Sequence, residues 1–245
     1  MRTISASLLA IAMFATCAKA DDLTDCSQHV DLRQTIDGCT RAASGALSGR
    51  LLAMVFNNRA NAYGALAERE LAIEDYGKAI AIDPTYTHAY YNRGATLMEV
   101  GRPELAVADF DRALQIDPGL AKANVNRGLA RLQLGLVDGA IDDFSAAIAL
   151  EPDAALAYNN RGAARRRKGE LTSALADFDK AIELDSRYRV ALNNRGEVLQ
   201  ALGRAREAVA DFQRVLATDP TDERARRNLE RLQGDRAAWE SIEFP

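Results

Sequence analysis

Histidine, aromatic residues and long apolar runs are what this chain has least of. Two histidines and three cysteines in 245 residues leave little material for a metal centre. Aromatics make up 6%, with one tryptophan, and six prolines with 16 glycines exclude collagen-like and low-complexity chains. No apolar run reaches the roughly 18–20 residues a membrane-spanning helix needs, which excludes a polytopic membrane protein. Neither sign of charge dominates. The 31 basic and 35 acidic residues give a net charge of −4, which argues against a general nucleic-acid binder. What is there is ordinary globular composition, 48% hydrophobic and 27% charged, in a length that admits one or two domains.

Residues 1–20 read as an export signal. Arg2 supplies the positive start, Ile4 to Phe14 a short apolar stretch, and Ala18-Lys19-Ala20 small residues where a signal peptidase cuts. Cleavage after Ala20 places the mature chain in the periplasm or outside the cell. The alternatives are a retained membrane anchor, for which the stretch is short, and a lipoprotein at Cys17, for which Phe14-Ala15-Thr16 is a poor match. Losing Arg2 and Lys19 leaves 29 basic and 35 acidic residues, a net of −6. It also leaves Cys26 and Cys39, which in an exported chain read as one disulfide. The alternative is two free thiols, with Cys39 buried as a small hydrophobe.

A period of 34 residues organises most of the rest. Asn58-Arg59-Ala60 recurs as Asn92-Arg93-Gly94, Asn126-Arg127-Gly128, Asn160-Arg161-Gly162 and Asn194-Arg195-Gly196. Asp75-Tyr76 recurs as Asp109-Phe110, Asp143-Phe144, Asp177-Phe178 and Asp211-Phe212, and a third series runs Pro84, Pro118, Pro152, Ser186, Pro220. Each unit reads as two helices. In the second, Tyr90, Gly94 and Leu97 share one face of a first helix, which Gly101 ends. Pro103 opens the next helix, whose apolar face is Ala106, Val107, Phe110, Ala113 and Leu114. Asp117-Pro118 stops it, because the residue before proline is pushed out of the helical region. Gly94 and Ala106 allow close approach, and Phe110 fills the space beside them. One such pair cannot bury both faces, so neighbours stack.

With this pattern the chain resembles the tetratricopeptide repeat family. Counting from Ala53, the units are 53–86, 87–120, 121–154, 155–188 and 189–222. Small residues stand at position 8, Ala at position 20, Tyr or Phe at position 24 and mostly Pro at position 32. Departures are Phe56, Tyr90, Asn124, Tyr158 and Leu192 at position 4, and Arg at position 7 throughout. The resemblance implies an all-α, right-handed superhelical solenoid of antiparallel helix pairs. Residues 21–52 are expected to be an extended leader followed by a half-repeat cap at 31–44, which a Cys26 bridge would pin. Residues 223–245 are expected to supply a capping helix with a polar outer face and a tail in which Trp239 and Phe244 pack; the alternative for the tail is a free docking peptide.

No catalytic constellation is visible. His29 and His88 stand apart, and no phosphate loop, dinucleotide fingerprint, HExxH or paired CxxC occurs. The periodic Arg and Asp suggest an inter-helix ladder, with Asp109 near Arg93 or Arg127; the alternative is independent solvation. The Arg165-Arg166-Arg167-Lys168 run is either a solvated helix end or part of a docking surface. In the family, positions 2, 5, 6, 9, 12 and 13 of the first helix line the groove. This puts Tyr91, Lys122, Arg166 and Arg167 there, between Glu99 and Glu197, and points to an acidic partner segment. Asn58, Asn92, Asn126, Asn160 and Asn194 all occupy position 6. Asn is unfavourable by several tenths of a kcal/mol against Ala inside a helix, so five of them need a reason. One reason is hydrogen bonding to a neighbouring helix. The other, implied by the resemblance, is a ladder of amides that holds an extended peptide by its backbone. His88 with Asn92 and Lys122 with Asn126 also resemble the carboxylate-binding pairs of chaperone-binding members. The expected function is a non-enzymatic scaffold that binds a protein or peptide in the cell envelope. No cofactor, metal, nucleic acid or lasting membrane span is expected. The alternative is an enzyme accessory or glycan-binding module with the solenoid as its body.

Overall fold

The computed structural model describes residues 20–27 and 31–242, with side chains through residue 234. The export signal, Cys17, His29 and the packing of Trp239 and Phe244 lie outside the described residues. Within them every regular element is a helix. The chain divides into two compact units, one ending at Thr96 and the other starting at Leu97.

The first unit holds α1 (Ala20–Ser27), α2 (Leu32–Ala43), α3 (Gly49–Ala65), α4 (Arg69–Ile82) and most of α5 (Thr87–Glu99). The expected extended leader is instead the helix α1, and it pairs with α2 as a hairpin. Its reason lies in a disulfide and a glycine. Cys26 and Cys39 form a disulfide across the pair. Gly38 lets the backbones close up, since a Cβ there would lie 2.4 Å from Asp25 Cβ and 2.9 Å from the Cys26 nitrogen. Asp31 starts α2 by accepting from the backbone N–H of Arg33 and Gln34. The hairpin packs on α3, and α3 on α4.

The second unit holds the end of α5, then α6 (Pro103–Ile116), α7 (Ala121–Gln133), α8 (Val137–Leu150), α9 (Ala155–Lys168), α10 (Leu171–Leu184), α11 (Arg189–Ala201), α12 (Ala205–Thr218) and α13 (Glu223–Ile242). From α6 onward each helix packs on the next, and the first helices α7, α9, α11 and α13 also touch in sequence.

The same chemistry shapes each turn. Gly135, Gly169 and Gly203 have φ of 77°, 89° and 74°, and the following N–H closes a bond back to the helix (Leu136 to Arg131, Glu170 to Arg165, Arg204 to Leu199). In the first unit Ala67 takes this left-handed place with φ 62°. Four second helices end on an Asp whose side chain catches the N–H two residues on: Asp83 with Thr85, Asp117 with Gly119, Asp185 with Arg187 and Asp219 with Thr221; α8 ends on Glu151 instead.

The core is built from small residues against one ring per repeat. Ala140, Ala174 and Ala208 are fully buried, as are Phe144, Phe178 and Phe212. A Cβ added to Gly128, Gly162 or Gly196 would lie 2.7, 2.8 or 2.6 Å from the ring of the facing Phe. The glycine therefore sets how near the helices come.

The Arg at position 7 and the Asp at position 23 pair within a repeat. Arg59–Asp75, Arg127–Asp143, Arg161–Asp177 and Arg195–Asp211 lie at 2.6, 2.6, 2.7 and 2.6 Å. Arg127 holds Asp143 of its own repeat and Asp111 of the repeat before. Arg195 likewise reaches back to Asp179 at 2.7 Å, and Arg161 to Ser145 at 3.2 Å. Each of these arginines thus ties its repeat to the one before. The carboxylates are buried, which independent solvation would not produce. Burial pushes the Asp143 carboxyl up, while Arg127 and Arg131 pull it down. Such a pair adds little net stability, but breaking it costs about 3–5 kcal/mol by stranding a charge.

Candidate functional site

Five asparagines at the sixth position of the first helices were the main sequence signal, and the structure gives them different work. In the first unit, Asn58 Nδ2 donates to the main-chain oxygen of Cys26 over a long 3.4 Å. Asn92 Nδ2 donates to Asn57 Oδ1 and Asn61 Oδ1, both at 3.2 Å. Tyr91 lies beside it on α5, half-buried, and His88 is exposed one turn earlier.

In the second unit, Asn194 is buried, with both its Nδ2 and its Oδ1 engaged. Its Nδ2 donates to Asn159 Oδ1 at 2.9 Å, and its Oδ1 accepts from Arg224 at 2.8 Å. Asn126 is half-buried on α7. Asn160 differs: its Oδ1 accepts from Asn159 at 3.3 Å, and its own N–H groups have no partner among the described residues. Bonding to a neighbouring helix therefore accounts for Asn92 and Asn194, and it leaves the Asn160 donors without an acceptor among the described residues.

The partners that sequence reasoning missed are Asn57 and Asn159, at position 5. Both are 4% exposed and accept the bond from the next repeat. Their shared position, with Asn193 a third instance, was a signal available in the sequence. Arg224 on α13 was also missed.

The cationic run is largely neutralised from within. Arg165 pairs with buried Asp177 at 2.8 Å, and Lys168 with Asp138 and Glu170. Arg166 pairs with Glu197, which Arg224 also holds from α13 at 2.6 Å. Arg166 is thus tied to the next repeat by an ion pair. Burial pushes the Glu197 carboxyl up, but Arg224 and Arg166 together hold it below the ordinary glutamate value. Arg167 donates to the Leu132 carbonyl at 2.7 Å and keeps its charge exposed. Lys122 is exposed and has no ion-pair partner among the described residues.

Around these groups the first-helix face of the second unit carries exposed apolar side chains. Leu156 is 53% exposed, Val190 49% and Leu129 37%. An open cavity of about 560 Å³ lies where α13 meets α11, lined by Glu197, Gln200, Ala201, Asn228 and Arg231. Among the described residues no group of three His, Cys, Asp or Glu side chains can hold a metal ion. No described helix is long and apolar enough to cross a membrane.

Comparison with known proteins bears on this arrangement. Models described as tetratricopeptide repeat match residues 60–101, 88–120, 125–189 and 190–218, together more than half of the chain. No curated protein matches. Among solved structures, MamA is 25% identical with a TM-score of 0.63, covering 66% of this chain and 94% of its own. A MamA from Desulfovibrio magneticus RS-1, starting at its residue 41, is 20% identical with a TM-score of 0.66, covering 70% and 97%. YrrB, described as a TPR protein with an unusual peptide-binding site, is 22% identical with a TM-score of 0.63, covering 71% and 90%. Matched repeat by repeat, and built from helix hairpins locked by a small residue against an aromatic ring, this chain belongs to the tetratricopeptide repeat family.

Proposed function

We propose that the chain is a non-enzymatic scaffold of the cell envelope that holds an extended segment of a partner protein on its first-helix face. One observation carries this reading: Asn160 presents unpartnered amide N–H groups on a half-exposed face, beside exposed Leu156. Two donors there suit the carbonyls of an extended main chain. Asn58 already holds a main-chain carbonyl, that of Cys26, in the way proposed for a partner. Leu156, Val190 and Leu129 add apolar contact, and Lys122 with Arg167 favour an acidic segment. The envelope location is supported by the residues 1–20 pattern and by the Cys26–Cys39 bond, which suits an oxidising compartment.

The test separates ligand-binding from structural amides. Peptides are selected from a randomised display library on the purified chain and rebound to two variants. Asn160→Ala loses only the long 3.3 Å bond from Asn159, so it should lower the melting temperature less than Asn194→Ala does, and weaken binding by about 5–10-fold, the equivalent of one hydrogen bond. Asn194→Ala should lower the melting temperature, since it strands Asn159 and Arg224. If Asn160→Ala binds as well as the parent, the amide is not a ligand group and the reading fails.

A further inference from the structure

We propose that the Cys26–Cys39 disulfide is a redox latch that holds α1 over Val55 and Asn58 in the middle of α3, and that its reduction frees this surface for an extended main chain of a partner. The occupant rests on the scaffold role proposed above; the latch does not.

The argument starts from how little else keeps α1 in place. It has eight residues, and helices shorter than about 12–15 residues are marginal in water. Leu23 packs against the cluster of Cys26, Cys39, Ala42 and Val55. Arg41 pairs with Asp22 at 2.6 Å and Asp25 at 2.7 Å, and Gln34 donates to Asp25 at 2.9 Å. The Arg41 side chain is 50% exposed, so these pairs are screened and weak. The covalent bond is the strong restraint. Closing the segment from Cys26 to Cys39 shifts the opening equilibrium of α1 on the order of 100-fold.

What α1 covers is specific. Cys26 is 2% exposed and packs on Val55, and its carbonyl accepts from Asn58 Nδ2. When α1 leaves, Val55 loses the Cys26 side of its cover and the Asn58 N–H groups lose the carbonyl they hold. A main-chain carbonyl is also what a partner strand would bring.

The redox step balances with a dithiol as reductant. Its thiolate attacks one cystine sulfur and forms a mixed disulfide. Its second thiol then closes the reductant's own disulfide and releases Cys26 and Cys39 as thiols, a transfer of two electrons and two protons. Both sulfurs are buried, so the attack follows fraying of α1.

Hydrogen exchange on the purified chain, oxidised or treated with dithiothreitol, tests the latch. Mass spectrometry counts the thiols in each state. Reduction should cut the protection of amides 24–27 by about 100-fold, raise exchange modestly across 51–62, and leave 97–234 unchanged. Cys26→Ser/Cys39→Ser without reductant should exchange like the reduced chain. Unchanged protection of 24–27 with both thiols titrated overturns the latch, and so does faster exchange across 97–234. The selected display peptides are then bound to both states. A gain in affinity on reduction supports the uncovered surface as a docking site; opening without a gain overturns that occupant.

Discussion

At the scale of single residues, two substitutions test how the repeat is held. Ala67 sits at φ 62°, where the other repeats of this chain use glycine. An L-residue there is unfavourable by about 1–2 kcal/mol, while glycine gives back about 0.5–1 kcal/mol as unfolded-state entropy. Ala67→Gly should therefore raise stability by about 0.5–1 kcal/mol, read as a higher urea midpoint at unchanged slope. Gly162 is the opposite case. A Cβ there lies 2.8 Å from the Phe178 ring, which is fully buried and has nowhere to move. Overpacking costs about 1–3 kcal/mol, against about 1 kcal/mol gained in helix propensity. Gly162→Ala should lower the melting temperature by a few degrees, and a rise would show that the ring does not set the helix spacing.

At the scale of elements, α13 is docked by a charge cluster as well as by apolar contact. Ala225 is buried, and Leu229 and Leu232 pack on the cluster around Phe212 and Val215. Arg224 and Arg166 share the Glu197 carboxylate, and Asn228 donates to it at 3.4 Å. Because these partners lower the folded pKa of Glu197 against its unfolded value, its contribution is full at pH above about 4.5. It is lost as pH falls through the lower folded value. Amide protection at the start of α13 should therefore hold at neutral pH and fall in the acid range. Glu197→Gln should show weaker protection at pH 7 and a flatter profile below it. An identical profile in that variant would assign the acid loss to other carboxylates.

At the scale of the whole molecule, charge is used in two ways. The position-7 arginines are consumed by buried aspartates and serve cohesion between repeats. Lys122 and Arg167 remain exposed on the first-helix face, where the proposed function gives them a part in recognition. Lys122→Ala/Arg167→Ala should weaken acidic display peptides several-fold at low salt and make the remaining affinity less dependent on salt. Titration at two salt concentrations checks this. Equal salt dependence in parent and double variant would remove the electrostatic part of the proposal.

The 34-residue period, the paired helices and their turns were legible in the sequence, because each rests on local chemistry. Gly169 ends a helix and Asp117 ahead of Pro118 ends another by backbone geometry alone. The helix α1 was not legible. Its eight residues gain their shape from Gly38 and a disulfide 13 residues away rather than from a repeat signature. The asparagines were visible as a series, yet their roles were not. Identical residues at identical positions differ by what the neighbouring repeat presents: Asn159 to Asn194, Cys26 to Asn58, and no acceptor to the Asn160 donors among the described residues. Arg166 reads in sequence like Arg167, but Glu197 lies across from one and not the other. Local backbone preference therefore determined the repeat from sequence alone. Which polar groups stay open to a partner depended on side chains meeting across helices, and only the tertiary structure decided it.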